Sequence, residues 1–141
     1  MITFQSQSIP LPHLQRNRLK RWLRAVAQGY GHTIGELAYV FCNDEEILAV
    51  NRQYLGHDYY TDIITFPYSE GRELSADIFI SLDTVRSNAR LFGTDPDEEL
   101  CRVIVHGLLH LCGINDKGPG EREAMEAAEN AALQQLISLY N

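Results

Sequence analysis

The segment "VHGLLHLCGIND", Val105–Asp116, determines how the chain is organised around the end of one helix. His106 and His110 stand four positions apart in an apolar setting, so on a helix both imidazoles point to one side, with Cβ atoms about 5–6 Å apart. Gly113 predicts a left-handed turn that ends the helix, after which Asp116 can fold back as a third ligand. The segment therefore predicts a metal site at a helix end.

Other interpretations of this segment stay open. A histidine pair at this spacing is a weak signal alone, since buried histidines often only donate to a carbonyl group, and Asp116 fits a surface turn. Three protein ligands leave one position for water, which is typical of catalytic zinc. Zinc peptidases with similar spacing place a general-base Glu directly after the first His. Gly107 stands there instead, and a missing base typically costs about 10²–10⁴ in rate, which makes a peptidase a less favoured alternative.

Hydrophobic periodicity predicts a single α+β domain. Apolar runs predict strands over 1–5, 35–43, 63–66 and 76–81. Apolar stripes predict helices over 14–31, 44–55, 82–92, 94–113 and 121–140, with Asn43 or Asp44 capping the second. The second helix carries the stripe Ile47, Val50 and Tyr54, and the last carries Met125, Ala128, Ala132, Leu136 and Leu139. Because strands come early and helices late, we expect helices packed on a small mixed sheet, with the metal site at the end of a central helix.

Size and composition indicate one globular domain over residues 1–141. Apolar residues make up 45% and charged residues 22% of the chain, which are ordinary values. No apolar run approaches the roughly 18 residues of a membrane helix, and the N-terminus lacks the pattern of a secretory signal. Cys42, Cys101 and Cys112 have no paired spacing and predict free thiols in a reducing compartment. We therefore expect a cytoplasmic protein.

The charge of the chain is segregated along the sequence. The net charge is −7, yet no acidic residue precedes Glu36, and five of the 12 basic residues fall between Arg16 and Arg24. Arg16, Lys20 and Arg24 share one face of the first predicted helix. This face is suited to contact a nucleic-acid backbone without sequence preference. The alternative, the solvated face of an amphipathic helix, stays open.

Three blocks of the sequence resemble one known family. "HGLLHLCGINDK" resembles the HGxLHLxGYDH signature of the YbeY family of bacterial rRNA maturation factors. "NRQYLGHDYYTDIITFP", Asn51–Pro67, is similar to the family block N-x-x-x-R-G-x-D-x-x-T-D-V-L-S-F-P, and "SADIFISLDTV" is similar to the G-D-I strand that follows it. The resemblance covers the chain from about residue 37 onward.

The resemblance implies a metal-dependent endoribonuclease. Family members are single-domain proteins linked to processing of the 3′ end of small-subunit rRNA and to ribosome quality control. They hold one metal ion, usually taken as zinc, through three histidines. Carried over to this chain, the resemblance implies zinc held by His106, His110 and Asp116, with rRNA and the small ribosomal subunit as partners. The alternative is a ribosome assembly factor whose metal is structural and which does not cleave RNA.

The chain departs from the family pattern at two functional positions. Asp116 stands where the third histidine is expected, so the ligand set becomes His2Asp, with Asn115 in place of the preceding Asp. Leu55 stands where the family usually has an arginine, a residue suited to phosphate binding. His57 or Arg52 is a candidate to take over that RNA contact. No general base is identified, and Asp62 and Asp77 are candidates only by residue type.

Overall fold

A mixed β-sheet forms the centre of the computed structural model, which describes residues 1–59, 61–69 and 71–139. Within these ranges the sheet has four strands in the order β1-β2-β4-β3. Their bounds are β1 Ile2–Ser6, β2 Thr33–Cys42, β3 Ile63–Pro67 and β4 Glu73–Ser81. β1, β2 and β4 run parallel, and β3 pairs with β4 in the antiparallel direction. The predicted small mixed sheet is confirmed, with β2 and β4 longer than their apolar runs indicated.

Five helices of the described chain surround this sheet. They are α1 Arg16–Gly29, α2 Asp44–Val50, α3 Leu82–Phe92, α4 Pro96–Leu111 and α5 Glu121–Ser138. The main core lies where one face of the sheet packs against α1, α3, α4 and α5, and a smaller cluster under α2 covers part of the other face. None of the described helices has the length and apolar character that a membrane crossing requires.

Hydrogen bonds of two buried aromatic residues hold the helices in position. The Trp22 Nε1–H of α1 donates to the Ala132 carbonyl of α5 at 2.7 Å. The Tyr39 hydroxyl of β2 donates to the Ile104 carbonyl of α4 at 2.8 Å. Both side chains are fully buried, so each polar atom needs such a partner. These contacts fix α1 against α5 and α4 against the sheet.

Local sequence signals explain the bounds of α4. The Asp95 side chain caps its start by accepting from the Glu98 N–H, and Pro96 follows in the first turn, where it removes no needed donor. At the other end Gly113 has φ +97°, a left-handed conformation that favours glycine. The predicted helix end at Gly113 is confirmed. The chain leaves α4 in a sharp turn that brings Asp116 back towards the helix.

Two of the predicted apolar stripes are wrong in part. The second predicted helix changes at Asn51 into a single π-helical turn, Asn51–Leu55, which leaves Tyr54 63% exposed. A π turn adds a residue per turn, so 3.6-residue spacing no longer predicts which side is buried. On α5 the buried positions are Met125, Glu129, Ala132 and Leu136, while Ala128 is half-buried and Leu139, just past the end of the helix, is exposed.

Candidate metal centre

The predicted metal ligands line one cavity of about 520 Å³. His106 and His110 reach it from the last two turns of α4, and Asp116 reaches it from the turn that follows. The opposite wall comes from the π turn, from the loop before β3 and from β3 itself. Its members include Asn51, Leu55, His57, Tyr59 and Asp62. The helix end and the left-handed turn together therefore bring the three predicted residues to one place.

His106 lies between two carboxylates. Its Nδ1 is 2.7 Å from Oε2 of Glu129, and its Nε2 is 3.3 Å from Oδ2 of Asp116. Because a carboxylate oxygen can only accept, Nδ1–H donates to Glu129, and the Nε2 lone pair of a neutral ring faces a second acceptor. Two ligand atoms bound to one tetrahedral zinc ion, each at about 2.0–2.1 Å from the metal, lie roughly 3.3–3.4 Å from one another. The spacing of Nε2 and Oδ2 therefore suits two ligands of one cation.

Electrostatics at His106 also favour a positive charge. Burial alone lowers the pKa of its imidazole. The hydrogen bond from its ring to Glu129 raises the pKa, and so do the negative charges of Glu129, Asp116 and Asp62. These effects outweigh burial, and the pKa of His106 lies above its ordinary value. The surroundings of this ring thus stabilise a cation.

Glu129 contacts the predicted ligand His106 and was not among the residues that the sequence predicted for this site. Its side chain is 11% exposed, and its second oxygen, Oε1, accepts from Nη1 of Arg102 at 2.9 Å. Arg102 in turn donates through Nη2 to Oδ1 of Asn130 at 2.8 Å. Histidine ligands of metals commonly donate their other ring N–H to a carboxylate that fixes the ring. The sequence did contain a signal for it, because Glu129 is an acidic residue four positions after Met125, on the apolar stripe of the last predicted helix.

His110 lines the same cavity but stands apart from the closest pair, His106 and Asp116. Its side chain is exposed, and its Nδ1 lies 3.3 Å from the Ile114 carbonyl oxygen, a contact that leaves Nε2 free for a metal. In the part of the chain that the structure describes, no three His, Cys, Asp or Glu side chains already form a group that could hold an ion. The close contact is between His106 and Asp116, with His110 in the same cavity.

The predicted RNA-contact residues lie at different distances from this cavity. His57 lines it and stacks on Tyr59, with ring centroids 5.1 Å apart. Leu55 also lines it, at the position where the family pattern has arginine. Arg52 lies outside the lining and pairs with Asp58. The basic face predicted on α1, formed by Arg16, Lys20 and Arg24, is likewise not part of the lining.

The two candidate bases and Gly107 also differ in their position relative to the cavity. Asp62 lines the cavity, whereas Asp77 is outside it and accepts a hydrogen bond from the Tyr68 hydroxyl. Gly107 is buried against the sheet, where an added Cβ would lie 3.0 Å from Cδ1 of Ile63 and 3.1 Å from Cδ1 of Ile78. A side chain at position 107 would therefore point into the sheet and not into the cavity, unlike the peptidase base.

Comparisons with known proteins agree on one family. The profile described as "Endoribonuclease YbeY" matches residues 1–137. A protein named Endoribonuclease YbeY from Phocaeicola vulgatus is 62% identical over 139 residues, which cover 99% of this chain and 100% of that protein. Its namesake from Bacteroides thetaiotaomicron is 61% identical over 132 residues, covering 94% and 96% of the two chains. A more distant one from Porphyromonas gingivalis is 47% identical, covering 96% and 89%.

A solved structure supports the fold independently. The solution structure of TM1509 from Thermotoga maritima superposes with a TM-score of 0.67 and covers 99% of this chain and 91% of that one. At 24% identity this likeness concerns the fold alone. The profile match spans nearly the whole chain, and the curated relatives match it from end to end at high identity. The chain therefore belongs to the YbeY family.

Proposed function

We propose that the chain, residues 1–141, is one metal-dependent hydrolase domain that cleaves RNA internally during maturation of ribosomal RNA. The observation that carries this proposal is the geometry at His106, whose Nε2 faces the Asp116 carboxylate at 3.3 Å while Nδ1 is held by Glu129. Two acceptors at that distance repel one another unless a proton on Nε2 or a metal ion lies between them, and two ligand atoms of one tetrahedral zinc ion lie at about this spacing. The names of the relatives add the substrate class, since each is called an endoribonuclease.

The residues present fit a zinc ion. The proposed ligands are two imidazoles and one carboxylate, His106, His110 and Asp116, and this mixture of donors is one that zinc accepts. In both histidines Nδ1 is engaged with an oxygen acceptor, so Nε2 is the nitrogen available for the ion. Three protein ligands leave a further position open, as in catalytic zinc sites. When bound, zinc supplies Lewis-acid stabilisation of the negative charge that develops on a phosphate under attack.

The chain's own residues position the substrate. Lys117 and His57 line the same cavity and place donors where a phosphodiester would lie, and His57 is held by stacking and by a 3.0 Å hydrogen bond with the Tyr59 hydroxyl. Asp62 places a carboxylate in the cavity, whereas Asp77 lies outside it, so Asp62 is the better placed of the two candidate bases. The α1 face with Arg16, Lys20 and Arg24 would add affinity for the RNA backbone at a distance from the cavity.

The second candidate function is a ribosome assembly factor with a structural metal. Leu55 favours it, because this side chain lines the cavity at the position where the family pattern has a phosphate-binding arginine. Arg52 pairs with Asp58 outside the cavity, so His57, which lines the cavity, is the better placed of the two candidates to replace that arginine. We place either activity in the cytoplasm, where the three free thiols would stay reduced, with rRNA and the small ribosomal subunit as partners.

The test combines metal content with RNA cleavage. Wild type, Asp116→Ala and Asp116→His are purified, their zinc content is measured, and each is incubated with a precursor that contains the 3′ end of small-subunit rRNA, with and without chelator. We expect about one zinc per chain in wild type, loss of zinc in Asp116→Ala, retention in Asp116→His, and cleavage that the chelator abolishes.

The other outcomes separate the alternatives. Stoichiometric zinc without cleavage would favour the assembly factor, and cleavage of casein would favour a peptidase. Absence of zinc from wild type and both variants would mean that His106 and His110 serve packing and hydrogen bonding alone. Cleavage that survives chelation would contradict the role of the metal while leaving the ribonuclease activity in place.

A further inference from the structure

A second cavity adjoins the candidate metal centre. It has a volume of about 640 Å³ and is lined by residues of α3, α4 and α5. Asp62, His106 and Asp116 line both cavities and so form a boundary between them. An RNA chain whose reacting phosphate lies at this boundary must extend a nucleotide to either side. The first cavity holds one of these nucleotides, and the second cavity is the space available to the other.

An exposed aromatic ring forms part of this second cavity. Phe92, the last residue of α3, is 65% exposed and lines the cavity. Its neighbour Leu91 is 75% exposed but is not part of the lining. A ring held at the end of a helix beside a polynucleotide path is a platform on which a base can stack, and such stacking is tolerant of sequence.

The inner wall of the second cavity is acidic. Glu99 is only 8% exposed, and its carboxylate accepts one long hydrogen bond, 3.4 Å, from the Thr94 hydroxyl. The neighbouring carboxylate of Glu129 is already engaged by Arg102 and His106. A buried carboxylate repels phosphate but accepts from the amino groups of bases. The wall therefore suits a base, whereas Arg122 at the exposed rim suits a phosphate.

We propose that the second cavity is a nucleobase subsite that selects bases with an exocyclic amino group. Phe92 stacks on the base and the Glu99 carboxylate accepts from its amino group. Adenine, cytosine and guanine present such a donor, whereas uracil has no amino group and its N3–H lies between two carbonyl acceptors that the carboxylate repels. The inference rests on the proposed RNA substrate and assigns a base preference to one side of the cleaved bond.

The test measures nucleoside binding, which requires neither metal nor cleavage. Adenosine, cytidine and uridine are titrated into the full chain, and amide chemical shifts are followed by NMR. Phe92→Ala and Glu99→Gln are compared with Leu91→Ala, a matched loss of an exposed apolar side chain outside the cavity. We expect adenosine and cytidine to shift amides near residues 88–94 and 122–129, with uridine weaker by about tenfold. Phe92→Ala should weaken adenosine binding about ten- to hundredfold, and Glu99→Gln should remove the preference over uridine.

Two results would overturn the inference. Equal binding of adenosine and uridine to wild type would exclude selection by Glu99, and equal effects of Phe92→Ala and Leu91→Ala would exclude stacking on Phe92. These failures are distinguishable from failure of the proposed function. Intact base binding without RNA cleavage would contradict the ribonuclease and leave the subsite, whereas cleavage without base binding near α3 would contradict only the subsite.

Discussion

Replacement of Glu129 by Gln tests how far the metal centre depends on a residue that does not itself contact the ion. The substitution keeps the size of the side chain and removes the negative charge that accepts from His106 Nδ1 at 2.7 Å. Loss of such a partner typically lowers metal affinity by about 10–100-fold, which equals roughly 1.4–2.7 kcal/mol at 1.36 kcal/mol per factor of ten. Because the Glu129 side chain is only 11% exposed, solvent screening is weak. We therefore expect the upper half of that range.

The assay is competition for zinc against a chromogenic chelator, at constant pH and below the unfolding temperature. Glu123→Gln is the matched control, because Glu123 is an exposed acid on the same helix and lines neither cavity. Glu129→Gln also leaves Arg102 without its carboxylate, so the free energy of unfolding should fall by about 1–3 kcal/mol. Unchanged zinc affinity in Glu129→Gln, or an equal loss in Glu123→Gln, would refute the reasoning.

The remaining predictions concern packing, thiols and charge. Gly107→Ala should lower the free energy of unfolding by up to about 2 kcal/mol in a urea titration, because its Cβ would crowd Ile63 and Ile78 at a cost of about 1–3 kcal/mol, of which the better helix propensity of Ala offsets about 0.5–1 kcal/mol. Gly29→Ala, where nothing lies within 4 Å, is the control and should not destabilise the chain. The three thiols should react slowly with iodoacetamide at neutral pH, because burial raises their pKa to about 11, about 11 and about 12 in Cys101, Cys112 and Cys42. Thiols of the unfolded chain, with pKa near 8.5, lose their protons first, so the free energy of unfolding should fall as the pH rises from about 8.5 to about 12. Rapid alkylation or a flat pH profile would contradict this. Replacing all three predicted RNA contacts of α1 by Gln should reduce the slope of log affinity against log salt for single-stranded RNA by about two; an unchanged slope would contradict the role of Arg16, Lys20 and Arg24.

Local signals in the sequence were sufficient for most of the fold. The cap at Asn43 is confirmed, since its side chain accepts from the Glu46 N–H at 2.9 Å, and so is the helix end at Gly113. Both features depend on residues within a few positions of one another, so local hydrogen bonds and backbone preferences are enough to predict them. The same holds for the helix and turn that bring His106 and Asp116 together.

Features that depend on contacts between distant segments were not predictable in this way. Glu129 reaches His106 across 23 positions and from a different helix, so no spacing rule identifies it. The π turn at Asn51 is stabilised by tertiary surroundings, where the buried Asn51 side chain donates to the Tyr59 carbonyl at 2.9 Å. Gly107 could be interpreted only once Ile78 was seen beside it. In each case the partner comes from another element, and packing decides the outcome.

The position of Glu129 on the last helix also has a consequence for the order in which the centre forms during synthesis. His106, His110 and Asp116 are translated before Glu129, which lies on the closing helix, Glu121–Ser138. The partner that orients His106 thus arrives only when that helix has been made and has docked through Trp22 and Arg102. A nascent chain that stops short of α5 has its three proposed ligands but lacks the Glu129 carboxylate that orients His106.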